Sequence, residues 1–491
     1  MGAAYYGKRQ KCFCLTGRAD PGSRWSHSPK VNLLMTRVRK ELSMEFSPNN
    51  KLFFYLSAGA KAAVLEYTYI LTVPVDPAVL RLAVRDAVTA FPTYQLKPVI
   101  TPNGTLSAVL SDLTAEDMPV YQYDGSPVRL GSKDTNGYLF RVCWSDNRIT
   151  LSASHGIGDA RGVNSFMQTI VYYYLTRLGY EIDTEGLVYT TEDLSDSSIT
   201  DSLVEKAKAI YSPDTENPEP DEISPAADPD AVFYPPEQKI YLKTPQTRYF
   251  EIILDNGKFI DAVKSFGGTP LTFVHAAAAE TMYDFYKITD KNIVANVPVD
   301  LRTALGSRAQ SNFTFNVNLN ISGEDLHLDT AALMKTLRSR LKKAAELNRV
   351  LGGIAASDAY YAYFDGISLK DDTTLKAFSD YIVNLKPTRT YLLSNIGKIT
   401  LPEDMSAFVS DIDFVFPVVE STPVLSMITY KNRSSLIVAQ NYEDDGFIEA
   451  LRQTFAKYGI ETGLNDRGLI LLDDVKIMNF PREPDQGALP Q

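Results

Sequence analysis

Histidine is scarce in this chain. Only four occur in 491 residues, yet one of them, His155, sits in the glycine-bracketed turn SASHGIGDARG, Ser152 to Gly162, four residues ahead of Asp159. Cysteine is scarcer still: three residues cannot build a paired disulfide framework, and Cys143 in the apolar run YLFRVCW reads as a buried free thiol. Cys12 and Cys14 form a C-x-C too short for the usual zinc or redox spacing, so no metal site is expected. A reducing compartment, the cytoplasm, fits that usage. No run reaches the roughly 18 consecutive apolar residues of a membrane span. A glycine-rich phosphate loop is missing, and so is the G-x-S-x-G elbow of a serine nucleophile. Positive charge is also lacking outside one place. Residues 1–44 hold nine Lys or Arg against Asp20 and Glu41, and the whole chain is at -11, so the rest stands at -18. An acidic body excludes a nucleic-acid reader, whose affinity comes from clustered cations.

The basic residues 1–44 lack the apolar h-region of a signal peptide, and Tyr6 occupies the place where a myristoylation signal wants Ser or Thr. They read as a disordered extension, with Met44 as an alternative start. The remaining composition, 44% apolar and 22% charged, suits an ordinary globular core, and the length predicts two domains.

LEYTYILTV, residues 65–73, alternates as a half-buried strand, with Glu66, Thr68 and Thr72 opposite its apolar side. Asp76 and Pro77 then open a helix whose apolar stripe, Leu80 to Phe91, stops at Pro92. RITLSAS, 148–154, is another strand, and Val163 to Leu178 draw a helical stripe after it. His155 and Asp159 therefore lie in a strand-to-helix loop, where rigid flanks commonly present reacting groups. Residues 181–246 are rich in acid, Pro and Ser, and read as a linker with at most one short helix near Ser202 to Ile210. Beyond them come the strand RYFEIIL, helices from Lys258 and from the Thr269-Pro270 cap, the strands NIVANVPV and SNFTFNVNLN, a long helix over Thr330 to Asn348, and SLIVAQN with a helix from Gly446 to Tyr458. The alternation predicts an α/β (α+β, two-layer) fold in two lobes. The expected partition is 1–44 extension, 45–180 N-terminal lobe, 181–246 linker, 247–478 C-terminal lobe and 479–491 flexible tail.

A neutral imidazole can act as a general base near neutral pH. Asp159 could orient that ring or lock the loop through a cation elsewhere. Two other readings stay open: a metal pair without an evident third ligand, and plain capping, in which the histidine caps its own loop and Asp159 caps the helix at Gly162. His275, inside an alanine-rich helix, reads as packed, and His327 is given no role.

The segment HGIGDA, 155–160, resembles the HxxxD core of the CoA-dependent acyltransferase superfamily, which includes chloramphenicol acetyltransferase, condensation domains and the alcohol acetyltransferases. The order along the chain is similar too. VDPAVLRLAVRDAVTAFPTY resembles the family's opening helix, NVPVDLR at 296–302 its segment ending in a structural arginine, SNFTFNV its asparagine motif, and YLLSNIGKI at 391–399 the SNxG segment of the alcohol acetyltransferase branch. The resemblance spans about residues 50–462. It implies two chloramphenicol-acetyltransferase-like lobes with an active-site tunnel between them. His155 would be the general base, Asp159 and Arg302 a structural pair, and Asn395, Ser394 and Asn312 would line the site where an oxyanion forms. No resident cofactor is implied. Acyl-coenzyme A would be the co-substrate and a small-molecule alcohol or amine the acceptor, the acyl group being acetyl or longer. Two alternatives follow from the same likeness: a stand-alone condensation enzyme fed by a carrier protein, and a non-catalytic scaffold. The last is suggested by Ala160, where the family often has a glycine able to take a positive backbone angle.

Overall fold

The computed structural model describes residues 46–57, 63–212, 229–236, 247–357, 367–370, 373, 388–418 and 423–483. All of these residues belong to one compact unit, which falls within 43–491. The expected N-terminal extension, Cys12 and Cys14, and the linker stretches 213–228 and 237–246 lie outside the described residues.

The first sheet takes the order β11-β1-β6-β5-β4 from β1 (Val64–Leu71), β4 (Val120–Gln122), β5 (Phe140–Ser145), β6 (Arg148–Ser154) and β11 (Val409–Val415), all antiparallel except β4 with β5. Leu65, Tyr67, Tyr69 and Leu71 alternate along β1 and are buried, the two tyrosines donating to Ala160 O and Asn164 Oδ1, and two helices pack together on this side. The first of these follows a short α1 (Pro48–Leu56) and is α2 (Pro77–Ala90), whose N-terminus is capped by Asp76 accepting from Ala78 and Val79. The second is α3 (Ala160–Arg177), which starts on Asp159. A separate hairpin pairs β2 (Leu96–Ile100) with β3 (Leu106–Leu110).

The second sheet has seven strands in the order β14-β7-β13-β12-β10-β8-β9. They are β7 (Thr247–Asp255), β8 (Ile293–Asp300), β9 (Thr314–Ile321), β10 (Tyr391–Ile399), β12 (Val424–Tyr430), β13 (Arg433–Gln440) and β14 (Gly463–Ile470). Its core contains α6 (Pro270–Tyr286), introduced by α4 (Leu203–Ile210) and α5 (Asn256–Ser265) and followed by α7 (Thr330–Ala344), α8 (Leu347–Ala356) and α9 (Gly446–Lys457). Strand β10 runs parallel to both β12 and β8, but it pairs with β8 only at Tyr391 and Leu392 before the two diverge. That split at the carboxyl ends of parallel strands is where α/β sheets bind ligands.

Several boundaries differ from the sequence reading. Strand β11 belongs by sequence to the second lobe, yet it completes the first sheet beside β1. The expected flexible tail is packed as far as Glu483. Ile477 and Phe480 are buried, Phe480 lies edge-on to Phe54 at 5.6 Å, and the Ile100 N–H donates to Pro481 O. Residues 181–212 are not a loose linker either. Val188, Leu194 and Ile199 are buried, and the acids there act as caps and ion pairs: Asp193 closes a box with Thr190, Asp196 caps Ser198, and Arg308 reaches Asp193 at 2.8 Å. Acid-rich composition marked helix starts here rather than a solvated tether. The expected long helix from Thr330 stops at Ala344 and turns at Glu346 (ψ 133°), which lets α8 pack on α4.

Candidate active site

His155 follows the last residue of β6. Its backbone N–H donates to Ala63 O, and Ser154 Oγ accepts from the Gly156 N–H, so strand pairing and a side-chain turn fix the loop's start. The glycines bring it close to its neighbours. A Cβ on Gly156 would meet the Phe54 ring at 2.2 Å, and one on Gly162 would meet the Gln310 carbonyl oxygen at 2.2 Å. Ala160 is the first residue of α3, in ordinary helical backbone, so the glycine often found there in the family is not needed for a positive angle.

Asp159 does two things at once. As the N-cap of α3 its Oδ1 accepts from the Gly162 N–H at 2.9 Å, and the same oxygen accepts from Arg302 Nη2 at 3.0 Å, while Oδ2 takes the Phe313 N–H. Capping and the ion pair, which the sequence left as alternatives, coexist. Arg302 also donates to Ala309 O, Ser311 O and Asp300, and both members of the pair are buried. Burial pushes the Asp159 carboxyl up, but the guanidinium and two backbone N–H groups outweigh it and hold the group below its ordinary value. The pair ties the His155 loop of the first lobe to the 300–313 segment of the second.

The half-buried imidazole stacks on Phe53, with ring centroids 3.9 Å apart and 9° between planes, and stands edge-on to Phe416. Its Nδ1 is 2.9 Å from Asn312 Oδ1, and Asn312 Nδ2 donates back to the His155 carbonyl. A backbone carbonyl can only accept, so it fixes which end of the amide is nitrogen; Oδ1 then faces Nδ1, which must carry the proton. Nε2 is the nitrogen left with a free lone pair. Burial lowers the ring's pKa below its ordinary value, although its own carbonyl, Asp159 and Asn312 pull the other way.

His155 opens on a cavity of about 880 Å³ between the two lobes. Leu65, Phe53 and Asn164 line one wall, and Asp300, Thr314 and Asn316 the wall opposite, with Ser394, Asn395 and Lys398 where β10 leaves β8. The polar residues of SNFTFNVNLN thus find their use, since Thr314 and Asn316 alternate onto the cavity side of β9. His155, Asp159, Arg302, Ser394 and Asn395 all line this one cavity. Asn312 does not. It is buried behind the imidazole with both amide donors occupied, by His155 O and by Asn50, so it has no donor to offer an oxyanion, contrary to the expectation for it. Asn395 spends its Oδ1 on the Gly397 N–H across a bulge in β10.

Phe53, Asn49 and Asn50 escape the sequence reading, whose first element is the strand from Leu65. The signal available was Ser-Pro opening a helix followed by two asparagines on its buried side. His275 is buried and does not line this cavity, with its Nδ1 2.7 Å from Tyr391 Oη, and Cys143 is a buried thiol pushed up to about 12 by desolvation. Among the described residues no cluster of His, Cys, Asp and Glu could hold a metal, and no helix is long and apolar enough to cross a membrane.

No protein-family model matches the chain, and no curated protein sequence does. Solved structures do. TRI101 of F. graminearum, in complex with coenzyme A and T-2 mycotoxin, superposes with a TM-score of 0.55 at 12% identity, over 86% of this chain and 99% of that one. The TRI3 trichothecene 15-O-acetyltransferase of Fusarium sporotrichioides gives 0.55 at 12% identity, over 84% and 93%. A nonribosomal peptide synthetase, FmoA3, gives 0.51 at 13% identity over 85% of this chain, which spans 42% of that longer one. The chain has the mixed α/β, chloramphenicol-acetyltransferase-like fold of CoA-dependent acyltransferases and condensation domains.

Proposed function

We propose that this protein transfers an acyl group from a coenzyme A thioester to the hydroxyl or amine of a small molecule, with His155 as general base. The observation that carries the reading is the imidazole itself: it borders an inter-lobe cavity with Nδ1 engaged and Nε2 available, over a buried Asp159–Arg302 pair. Nε2 takes the acceptor's proton as its oxygen or nitrogen attacks the thioester carbonyl. The tetrahedral oxyanion then collapses, the carbon–sulfur bond breaks, and the thiolate recovers the proton from Nε2. Asp159, charged and held by Arg302, transfers no proton. Ser394 Oγ and the Asn395 side-chain amide, which line the same cavity on β10, are assigned as the donors to that oxyanion.

Mixing the protein with a panel of acyl-CoA donors and alcohol or amine acceptors and following free thiol tests this. Acceptor-dependent release is expected, and His155→Ala should cut it about a hundredfold to ten-thousandfold. Unchanged release in that variant would remove the assigned role. Phosphopantetheine thioesters on a carrier protein belong in the same panel. Turnover with those alone would make this a condensation enzyme.

A further inference from the structure

Helix α1 meets the HxxxD loop and Asn312 through four residues. Asn49, Asn50, Phe53 and Phe54 lie at i, i+1, i+4 and i+5, one side of a helix. Asn49 Nδ2 donates to the Asn312 backbone oxygen at 3.0 Å, and Asn50 Oδ1 accepts from Asn312 Nδ2 at 3.0 Å. Phe53 covers one face of the His155 ring, and Phe54 fills the space above Gly156. Packing alone would not place two adjacent amides inside: Asn49 and Asn50 are buried at 6% and 2% exposure, and a buried amide is costly unless its partners are there. Here both amides meet Asn312: Asn50 accepts from the side chain that touches Nδ1, and Asn49 donates to the backbone oxygen of the same residue while its own Oδ1 accepts from Ser47 Oγ.

We propose that α1 is a positioning element for the base. Asn50 and the His155 carbonyl together pin the Asn312 amide with its Oδ1 on Nδ1–H, which keeps the ring in the tautomer whose Nε2 can accept a proton, and Phe53 holds the ring plane by stacking. The assignment rests on the reading of His155 as base, but the tautomer can be measured without any turnover. Asn49, Asn50 and Phe53 are positioning residues rather than catalytic ones. They act through the imidazole.

The experiment is nitrogen-15 NMR of the imidazoles in the full chain, with His155 assigned by its loss in His155→Ala, beside steady-state kinetics. Wild type should show Nδ1 protonated and Nε2 bare. Asn50→Ala should give mixed tautomers and a kcat lower by about tenfold, the worth of one buried hydrogen bond, with KM for both substrates within about twofold. Asn50→Asp keeps an oxygen for Nδ2 and should restore both readouts. Asn312→Asp puts a carboxylate on Nδ1–H and should raise the NMR-titrated pKa of His155 by about one unit. A wild-type ring protonated on Nε2 would overturn the proposal, as would Asn50→Ala with tautomer and kcat both unchanged. Should Asn50→Ala fail to fold, an unmoved His155 pKa in Asn312→Asp overturns it equally. If no thioester is consumed, yet the Nδ1–H tautomer is present in wild type and becomes mixed in Asn50→Ala, the positioning role is upheld and only the transferase reading falls.

Discussion

Arg302 shows how one side chain can be structural and still decide a site. Its guanidinium joins Asp159, Asp300 and two loop carbonyls inside the protein, so truncating it leaves the Asp159 carboxylate buried without its counter-charge. Arg302→Ala is expected to destabilise the chain by about 3–5 kcal/mol, read as a lowered urea midpoint, and the double change Arg302→Met with Asp159→Asn should recover part of the loss because no unpaired charge remains. The pH dependence of the reaction also belongs to a single residue. A base must be neutral, and burial holds His155 below its ordinary 6.5, so the acid limb of kcat/KM should fall below pH 6.5. A limb above 7 would mean that the carboxylate, not desolvation, governs the ring. The residues legible in the sequence were those whose chemistry is local, His155 and Asp159 in one turn, or whose motif is distinctive, Arg302 and Asn395. Asn312 was legible as a member of the site but not as the ring's partner, because which atom an amide offers depends on neighbours 157 and 262 positions away.

Elements with their own punctuation could be read directly. Asp76-Pro77 and Thr269-Pro270 start helices at Pro77 and Pro270, because each cap satisfies local N–H groups whatever the tertiary setting. What could not be read is pairing between distant segments: β11 entering the first sheet, or β10 parting from β8 after two residues to open the cavity. Helix α1 escaped for a related reason, since its buried side is partly amide and gives no apolar stripe. Its grip on the HxxxD turn can be tested at Gly156. Gly156→Ala forces a methyl group into the Phe54 ring and is expected to cost about 1–3 kcal/mol, the usual range for overpacking. Adding Phe54→Leu should return part of that in the same denaturation assay, whereas the two effects would simply add if α1 and the turn were independent.

At the scale of the whole molecule, the polar side of β1 that sequence alternation placed opposite the core is only partly withdrawn from water: Thr72 is exposed, whereas Glu66 is half-buried among charged groups at the lobe junction. Glu66 accepts from Ser152 Oγ, with Asp473, Asp413 and Arg141 close by, and Arg141 pairs with Asp473 at 2.7 Å. Desolvation first, then Asp473, raises the Glu66 carboxyl to about 7. In the second lobe, desolvation lowers His275 to about 3. These groups act on stability with opposite sign. Between about pH 4.5 and 7 the folded state keeps the Glu66 proton that the unfolded state has released, so this contribution is full below 4.5 and is lost as pH rises to 7. Between 6.5 and 3 the unfolded state protonates His275 while the folded state does not, so that contribution is present above 6.5 and is lost as pH falls. From 4.5 to 6.5 the two slopes, each about 1.4 kcal/mol per pH unit, offset one another. Glu66→Gln removes one of them. Its stability relative to wild type, from urea midpoints, should climb steadily between pH 4.5 and 7 and then level off at about 3 kcal/mol in the variant's favour. A difference that stays constant across that range would mean that Glu66 is already ionised at pH 5 and that the cations at the lobe junction, Arg141 foremost, outweigh its burial.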